Sequence, residues 1–451
     1  MKKITTYLFI AVFFVLCLIP SVGILLWGES KAGANEILAG KPSITERDGS
    51  FNWDVLSDFS DYMSDRFAFR QELVTGWARL NAKLFHRSTA EDVTIGSDDW
   101  LYFTPTLDNY TGANLLSDRA VWSAARTLYL MEEYVESREG TFLFTLAPNK
   151  NSLYRENMPE YTVLTEYGDT EKLMELLAAM EVNTANLFKA FDECDEVLYF
   201  KGDSHWNGKG AALAADVLLE ALNREVPGYY SGEFAAAAPH MGDLYEMLYP
   251  AGKESEADYA PATGFTFRYT SPSSDPDAIT LTTEKADAEG SLLCYRDSFG
   301  RNLNPYLAEQ FAEATFSRKN NYDLTLMADG GYVMVELVER NANYLNRYSP
   351  TFPAPVRDTE VELATVIMAY CGSFEEESGA PEGYVKLRGD LSELTVDANS
   401  PVYVQWGELV YEANPTPEGF NLTLPAAEIP ESLPVTFYQN GNLVTAFAVY
   451  Q

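Results

Sequence analysis

The sequence predicts an α/β protein: a mainly parallel sheet covered by helices, with an apolar helix before it and a β-sandwich-like domain after it. Three observations carry this. Strand and helix patterns alternate through the middle of the chain, an uncharged apolar run opens it, and β-branched and aromatic runs broken by turn residues fill its last hundred positions. The 451 residues suffice for several cores, and 46% hydrophobic with 13% aromatic residues excludes a disordered acidic chain. A net charge of -35, from 32 Lys plus Arg against 67 Asp plus Glu, excludes general nucleic-acid binding.

Residues 1–28 are read as a membrane anchor or a signal segment. Ile4 to Trp27 carries no charge, and at about 1.5 Å per residue it exceeds a hydrocarbon layer of roughly 30 Å. Lys2 and Lys3 hold the start inside, so the anchor is single-pass and the acidic remainder faces out of the cytoplasm. Secretion after cleavage near Ala32-Gly33-Ala34 is the rival reading. Residues 29–90 form a helical neck, with one helical stretch from Leu56 to Leu84.

Residues 91–348 hold the main domain. Ser117 caps a helix whose apolar positions run from Val121 to Val135 and which Gly140 closes. Thr141 to Ala147 is a buried strand; Leu173, Leu176, Leu177 and Met180 mark a helix, Val197 to Phe200 a strand, and Leu213 to Leu222 a helix. Residues 225–290 are an irregular insertion rich in proline. Ser291 to Tyr295 is a strand before a helix through Leu303, Tyr306, Leu307 and Phe311, and Tyr332 to Leu337 is one more strand. Ser349 to Pro355 reads as a linker into the β-rich residues 356–451, with strands at Val361 to Tyr370, Val402 to Trp406, Val435 to Tyr438 and Val444 to Tyr450. The acidic run Glu375-Glu376-Glu377 reads as a solvated loop.

Chemistry concentrates at two strand–helix junctions, where open α/β sheets place their sites. In Asp203-Ser204-His205-Trp206-Asn207 a carboxylate two residues from an imidazole can accept its Nδ1 proton and leave Nε2 as a base. In Arg296-Asp297-Ser298-Phe299-Gly300 the serine sits beside the N–H groups of a helix start, which can stabilise an oxyanion. Serine needs a base within about 3 Å; of His86, His205 and His240, His205 is the best candidate, with His86 in the helical neck and His240 in the irregular insertion. Asn149 is an oxyanion candidate, and Arg296 is a further substrate-binding or oxyanion candidate. Lys150 and Tyr154 either grip a sugar or acyl oxygen or are a surface lysine and a buried tyrosine. Trp206 and Asn207 line the cleft or pack, and Glu336 and Arg340 form a structural ion pair. Cys17, Cys194, Cys294 and Cys371 show no CxxC, so no zinc cluster or disulfide framework is expected, a Cys194–Cys294 bridge is left open, and no metal or cofactor is assigned.

These segments resemble the DHHW family and the alginate O-acetyltransferase-like proteins of the SGNH-hydrolase superfamily. Asp203-Ser204-His205-Trp206 and Asp297-Ser298-Phe299 carry the resemblance. It extends to Ile95 through Tyr102, Asp65 through Arg70, Ala147 through Tyr154, and Val335 through Asn341. It covers roughly residues 45 to 345 and implies a three-layer α/β/α, SGNH-like domain outside the cytoplasm. Ser298 would take up an acetyl group, His205 would act as base and then acid, and Asp203 would orient His205. The implied acceptor is a cell-envelope or secreted polysaccharide, and the implied donor partner a membrane-bound acyltransferase. Ser204 and Arg296 depart from the family pattern, the latter standing where a turn glycine is expected. An acetylesterase using the same residues, or a glycan-binding envelope-assembly protein without activity, are the alternative readings.

Overall fold

The computed structural model describes residues 2–33, 36–357, 366–367 and 372–451; in the helix at the start and the 366–367 pair some side chains lie outside the description. Helix α1 (Lys2–Trp27) is followed by α2 (Val55–Arg66) and α3 (Arg70–Phe85). The expected single neck helix is thus two. Phe69 takes a left-handed φ of 65° at the break, so Asp65 to Arg70 straddles a corner. Among the described residues no helix is long and apolar enough to cross a membrane, so the expected anchor is not confirmed.

The main domain holds the hairpin β1 (Val93–Ile95) and β2 (Leu101–Phe103), then α4 (Asp118–Ser137), β3 (Thr141–Ala147), α5 (Asp169–Ala179), β4 (Thr184–Ala185) and α6 (Gly208–Ala221). The insertion adds β5 (Phe234–Ala236), α7 (Asp243–Leu248), β6 (Tyr259–Pro261), β7 (Arg268–Tyr269) and β8 (Thr280–Glu284). The domain ends with β9 (Ser291–Arg296), α8 (Gly300–Ala308), β10 (Glu313–Ser317) and β11 (Tyr332–Val338). The sheet order is β4-β3-β11-β9-β10-β8-β7. The first five strands run parallel, and β8 and β7 add antiparallel at one edge, so the end of the insertion belongs to the sheet.

Strand alternation explains the three layers. Phe142, Phe144, Leu146, Val333 and Val335 face α4, where Val121, Leu128 and Met131 are buried against them. Leu143, Ala147, Met334 and Val338 face α6 and α8, meeting Ala211, Leu218, Leu303 and Leu307. Ser117 caps α4 as expected, its hydroxyl accepting from the Ala120 N–H at 3.2 Å. At the other end Glu139, not Gly140, takes the left-handed conformation, with φ 58°.

Residues 197–200 do not form the expected sheet strand. The Leu198 N–H donates to the Tyr154 hydroxyl (2.8 Å) and its carbonyl accepts from the Asn207 N–H (2.8 Å), so this backbone folds back on the 205–207 turn, and only Tyr199 and Trp206 pair as a bridge. Among the described residues Cys194 and Cys294 are free thiols, which closes the bridge left open.

The C-terminal strands are β12 (Gly372–Glu377), β13 (Tyr384–Asp390), β14 (Val402–Trp406), β15 (Leu409–Pro415), β16 (Gly419–Pro425), β17 (Ser432–Gln439) and β18 (Asn442–Tyr450). They run β15-β14-β17-β18-β12-β13-β16, and β16 then pairs with β15 through Asn414↔Asn421 and Pro415↔Phe420. This closure makes a barrel where a sandwich was expected; with no free edges between the strands, its side chains fill one interior. Glu375, Glu376 and Glu377 lie within β12, not in a loop, paired with β13. The strand expected over 361–370 lies largely outside the described residues. The 349–355 segment is packed rather than free: Thr351 and Phe352 are buried, and Lys386 donates to the Ser349 carbonyl at 2.8 Å.

Candidate active site

Asp203 and His205 follow the folded-back 197–200 segment, and Ser298 follows β9; Trp206 donating to the Phe299 carbonyl and the Asn302 amide donating to the Trp206 carbonyl bring the two turns together. His205 Nε2 lies 2.8 Å from Ser298 Oγ, and its Nδ1 lies 2.6 Å from Asp203 Oδ1. With Nδ1–H donating to the carboxylate, Nε2 accepts from the serine hydroxyl. The His205 N–H also donates to Asp203 Oδ1, at 2.8 Å. This line of hydroxyl, imidazole and buried carboxylate lets the ring take the hydroxyl proton while the carboxylate steadies the resulting charge.

Asp203, 3% exposed, accepts on both oxygens: Oδ2 takes His240 Nε2 at 2.6 Å and the Asp243 N–H at 3.0 Å. Burial drives its pKa up, but His205 and His240 outweigh that and hold it well below the usual carboxylate range. Asp243 in turn accepts from the Ser204 N–H (2.8 Å) and hydroxyl (2.7 Å). Burial first, and the Asp203 charge second, push Asp243 upward. Donor atoms of Asp203, His205 and Asp243 lie within 4.8 Å of one another; the hydrogen bonds just described engage them, and the cluster is a proton network.

The turn at 200–203 is clamped from two sides. Lys150, 4% exposed, donates to the carbonyls of Phe200 (3.1 Å), Lys201 (2.9 Å) and Asp203 (2.5 Å). Burial draws its pKa down to about 7, against the pull of Asp203, Asp243 and Glu256. Glu256 accepts from the Lys201 and Gly202 N–H groups at 2.8 and 2.7 Å.

The serine turn is held by Asp297, which accepts from the Phe299 N–H (2.9 Å), the Val338 N–H (2.7 Å) and the Asn341 amide (2.8 Å). The bulk of Arg296 is accommodated by Gly300, where a Cβ would come within 2.6 Å of the Arg296 Cδ.

Residues 93–296 match the family described as SGNH hydrolase-like domain, acetyltransferase AlgX. This domain is SGNH hydrolase-like. The matched family is described as one of acetyltransferases, and the match spans somewhat less than half of this chain. A Pseudomonas putida relative described as "Probable alginate O-acetylase AlgJ" is 22% identical over 180 residues, 38% of this chain and 46% of that protein. The chain spans about half the length of the curated relatives it matches. Among solved structures, a DHHW family protein from Eubacterium siraeum aligns at 16% identity and a TM-score of 0.38, covering 51% of this chain and 90% of that one. The O-acetyltransferase domain of Pseudomonas putida AlgJ aligns at 17% and 0.38, covering 56% and 92%.

Within the SGNH-like domain the remaining candidates fall in two groups. Lys150 is neither a surface lysine nor a sugar grip, because its ammonium is spent on three carbonyls of the 200–203 turn and lies over the Trp100 and Tyr102 rings. Tyr154 is half-buried and accepts from the Leu198 N–H, and burial raises its pKa to about 12. Trp206 is 0% exposed and donates to the Phe299 carbonyl at 3.1 Å, tying the two junctions together rather than lining a cleft. Asn207 caps α6, accepting from the Lys209 and Gly210 N–H groups at 3.0 Å each. Arg296 is buried and donates to the carbonyls of Asp297, Pro276 and Ala278. These five are structural.

Asn149 is different: its buried Nδ2 has no hydrogen-bond partner, while its Oδ1 accepts from Arg340 at 3.4 Å. The expected Glu336–Arg340 pair is absent. Arg340 stacks over Phe103 and Phe299, and Glu336 is buried with neither oxygen hydrogen-bonded. Sequence reasoning set His240 aside and passed over Asp243. The scarcity of histidine in a chain with only 3 was the available signal.

Proposed function

We propose that this protein is an O-acetyltransferase that carries an acetyl group on Ser298 and delivers it to a hydroxyl of an exported polysaccharide. The reading rests on one observation above the rest, the 2.8 Å approach of Ser298 Oγ to His205 Nε2 with Asp203 behind the ring. Ser298 Oγ attacks the acetyl carbonyl as its proton passes to His205 Nε2. The imidazolium then returns that proton to the leaving oxygen as the C–O bond to the donor breaks. In the second half, a sugar hydroxyl gives its proton to His205 and attacks the acetyl ester, and Ser298 leaves with the proton restored. Asn149 Nδ2, a donor without a partner, is assigned to the oxyanion.

The -35 net charge favours a neutral over a strongly anionic acceptor. Location outside the cytoplasm, anchoring through α1 and donation by a membrane-bound acyltransferase belong to the same proposal. They are supported by the uncharged Ile4 to Trp27 run after two lysines, and by the neck: α3 buries Thr75 and Ala78 while exposing Leu73, Trp77, Leu80 and Leu84. Alkaline extraction of membranes should leave the chain in the pellet, and its release into the supernatant would contradict anchoring.

Wild-type protein should release the leaving group from an activated acetyl ester, with Ser298→Ala and His205→Ala each slower by about 1000-fold or more. Equal rates in all three would remove the proposal. Added neutral oligosaccharide should divert acetyl from water to sugar; acetate as sole product would make the protein an esterase.

A further inference from the structure

Asp203 serves two imidazoles. Its Oδ1 holds His205, and its Oδ2 holds His240 Nε2 at 2.6 Å, an approach as short as that to His205 Nδ1. The insertion is built to keep this contact. The His240 N–H donates to the Glu256 carbonyl (2.9 Å) and the Glu256 N–H returns the bond (2.7 Å), while the Glu256 carboxylate grips the N–H groups of Lys201 and Gly202. The His240 ring stacks on Phe200 at 4.2 Å, interplanar angle 28°. Gly242 lies so close that a Cβ there would sit 2.1 Å from the Gly202 carbonyl oxygen. On its other side His240 lines a cleft of about 1230 Å³, together with Arg79, Tyr245, Tyr249 and Glu254. One imidazole therefore connects open solvent to the carboxylate behind His205.

We propose that His240 is a positioning residue that fixes the second oxygen of Asp203 and, through it, sets the basicity of His205. The inference rests on the proposed serine chemistry for its kinetic consequence, but not for its physical basis. A neutral His240 donates one N–H and leaves the Asp203 charge intact, available to stabilise an imidazolium at His205. A protonated His240 partly neutralises Asp203 and makes a second positive charge on His205 harder to form. Burial opposes charge on His240, the Asp203 carboxylate outweighs it, and the net result lies above the ordinary imidazole value. Arg301 opposes that charge and Asp258 favours it. Asp243 presents only its N–H to the shared carboxylate, and the Glu256 carboxylate is turned to the 201–202 amides. The two rings thus share one carboxylate, one on each oxygen.

The test is a histidine-resolved NMR titration of the full-length chain, in which only three imidazoles need assignment, with Ser298 acylation rates measured over the same pH range. In wild type the His205–His240 pair should take up its two protons in separated steps. In His240→Gln, which keeps an N–H donor but does not titrate, His205 should follow a single curve and the rate should rise through one ionisation. His240→Leu, without a donor, should acylate about tenfold more slowly at its plateau, with Gln restoring most of that loss. A His205 curve unchanged by His240→Gln would overturn the inference. Acylation absent from wild type with coupled titration still present would overturn the serine mechanism and leave the positioning role standing.

Discussion

Glu336 sits on the α6 face of β11, fully buried, and neither carboxylate oxygen has a hydrogen bond. Burial, reinforced by the Asp297 charge, pushes its pKa well above the ordinary value of 4.5. Between that value and its raised one the native state holds a proton the unfolded chain has released, so this group costs stability as pH rises through the window. Glu336→Gln should therefore gain about 1 kcal/mol or more over wild type at pH 8 and little at pH 4.5, measured by denaturant unfolding. A difference independent of pH would contradict a protonated Glu336. Ser298, His205 and Asp203 could be picked out in the sequence because each follows an apolar run that ends at a turn. His240 could not, since it meets Asp203 from 37 positions away in a segment without periodicity. Lys150 was conspicuous, yet nothing local encodes that three carbonyls would enclose it.

At the scale of elements, the serine turn depends on β9 passing into α8 with an arginine where small residues are the rule. Gly300→Ala would set a Cβ 2.6 Å from Arg296 Cδ and 2.9 Å from its Cβ and Cγ. The expected cost is about 1–3 kcal/mol of stability, read as a lower denaturant midpoint. Acylation should fall with it, since Phe299 and Asp297 move with the turn. An unchanged midpoint would show that Arg296 can relocate. Strands β3, β9 and β11 were legible because burial on both faces leaves continuous apolar runs. Residues 197–200 share that composition but spend their backbone hydrogen bonds on Tyr154 and Asn207, a tertiary arrangement invisible to a window of four residues.

The whole molecule joins its two folded parts through charge. Glu412 on β15, 1% exposed at its side chain, accepts from Arg126 of α4 at 2.7 and 2.9 Å and from Arg357 at 2.7 Å, and Arg357 also pairs with Glu133. Arg119 donates to the backbone carbonyls of Asp397, Ala398 and Ser400. Glu412→Ala would leave two guanidinium groups without their shared carboxylate, and should cost about 3–5 kcal/mol and split thermal unfolding into two transitions. One transition at the wild-type temperature would show that the barrel docks by other contacts. The strand content of this region was legible; barrel closure was not, because it turns on the β12–β18 and β13–β16 pairings between strands distant in sequence.

The most direct test of the account is to incubate the protein with an activated acetyl ester, quench in acid and locate the added mass by peptide sequencing in a mass spectrometer. The account predicts one acetyl on the peptide containing Ser298, lost in Ser298→Ala and strongly reduced in His205→Ala. Acetyl found on other residues while the Ser298 peptide stays unmodified would contradict it.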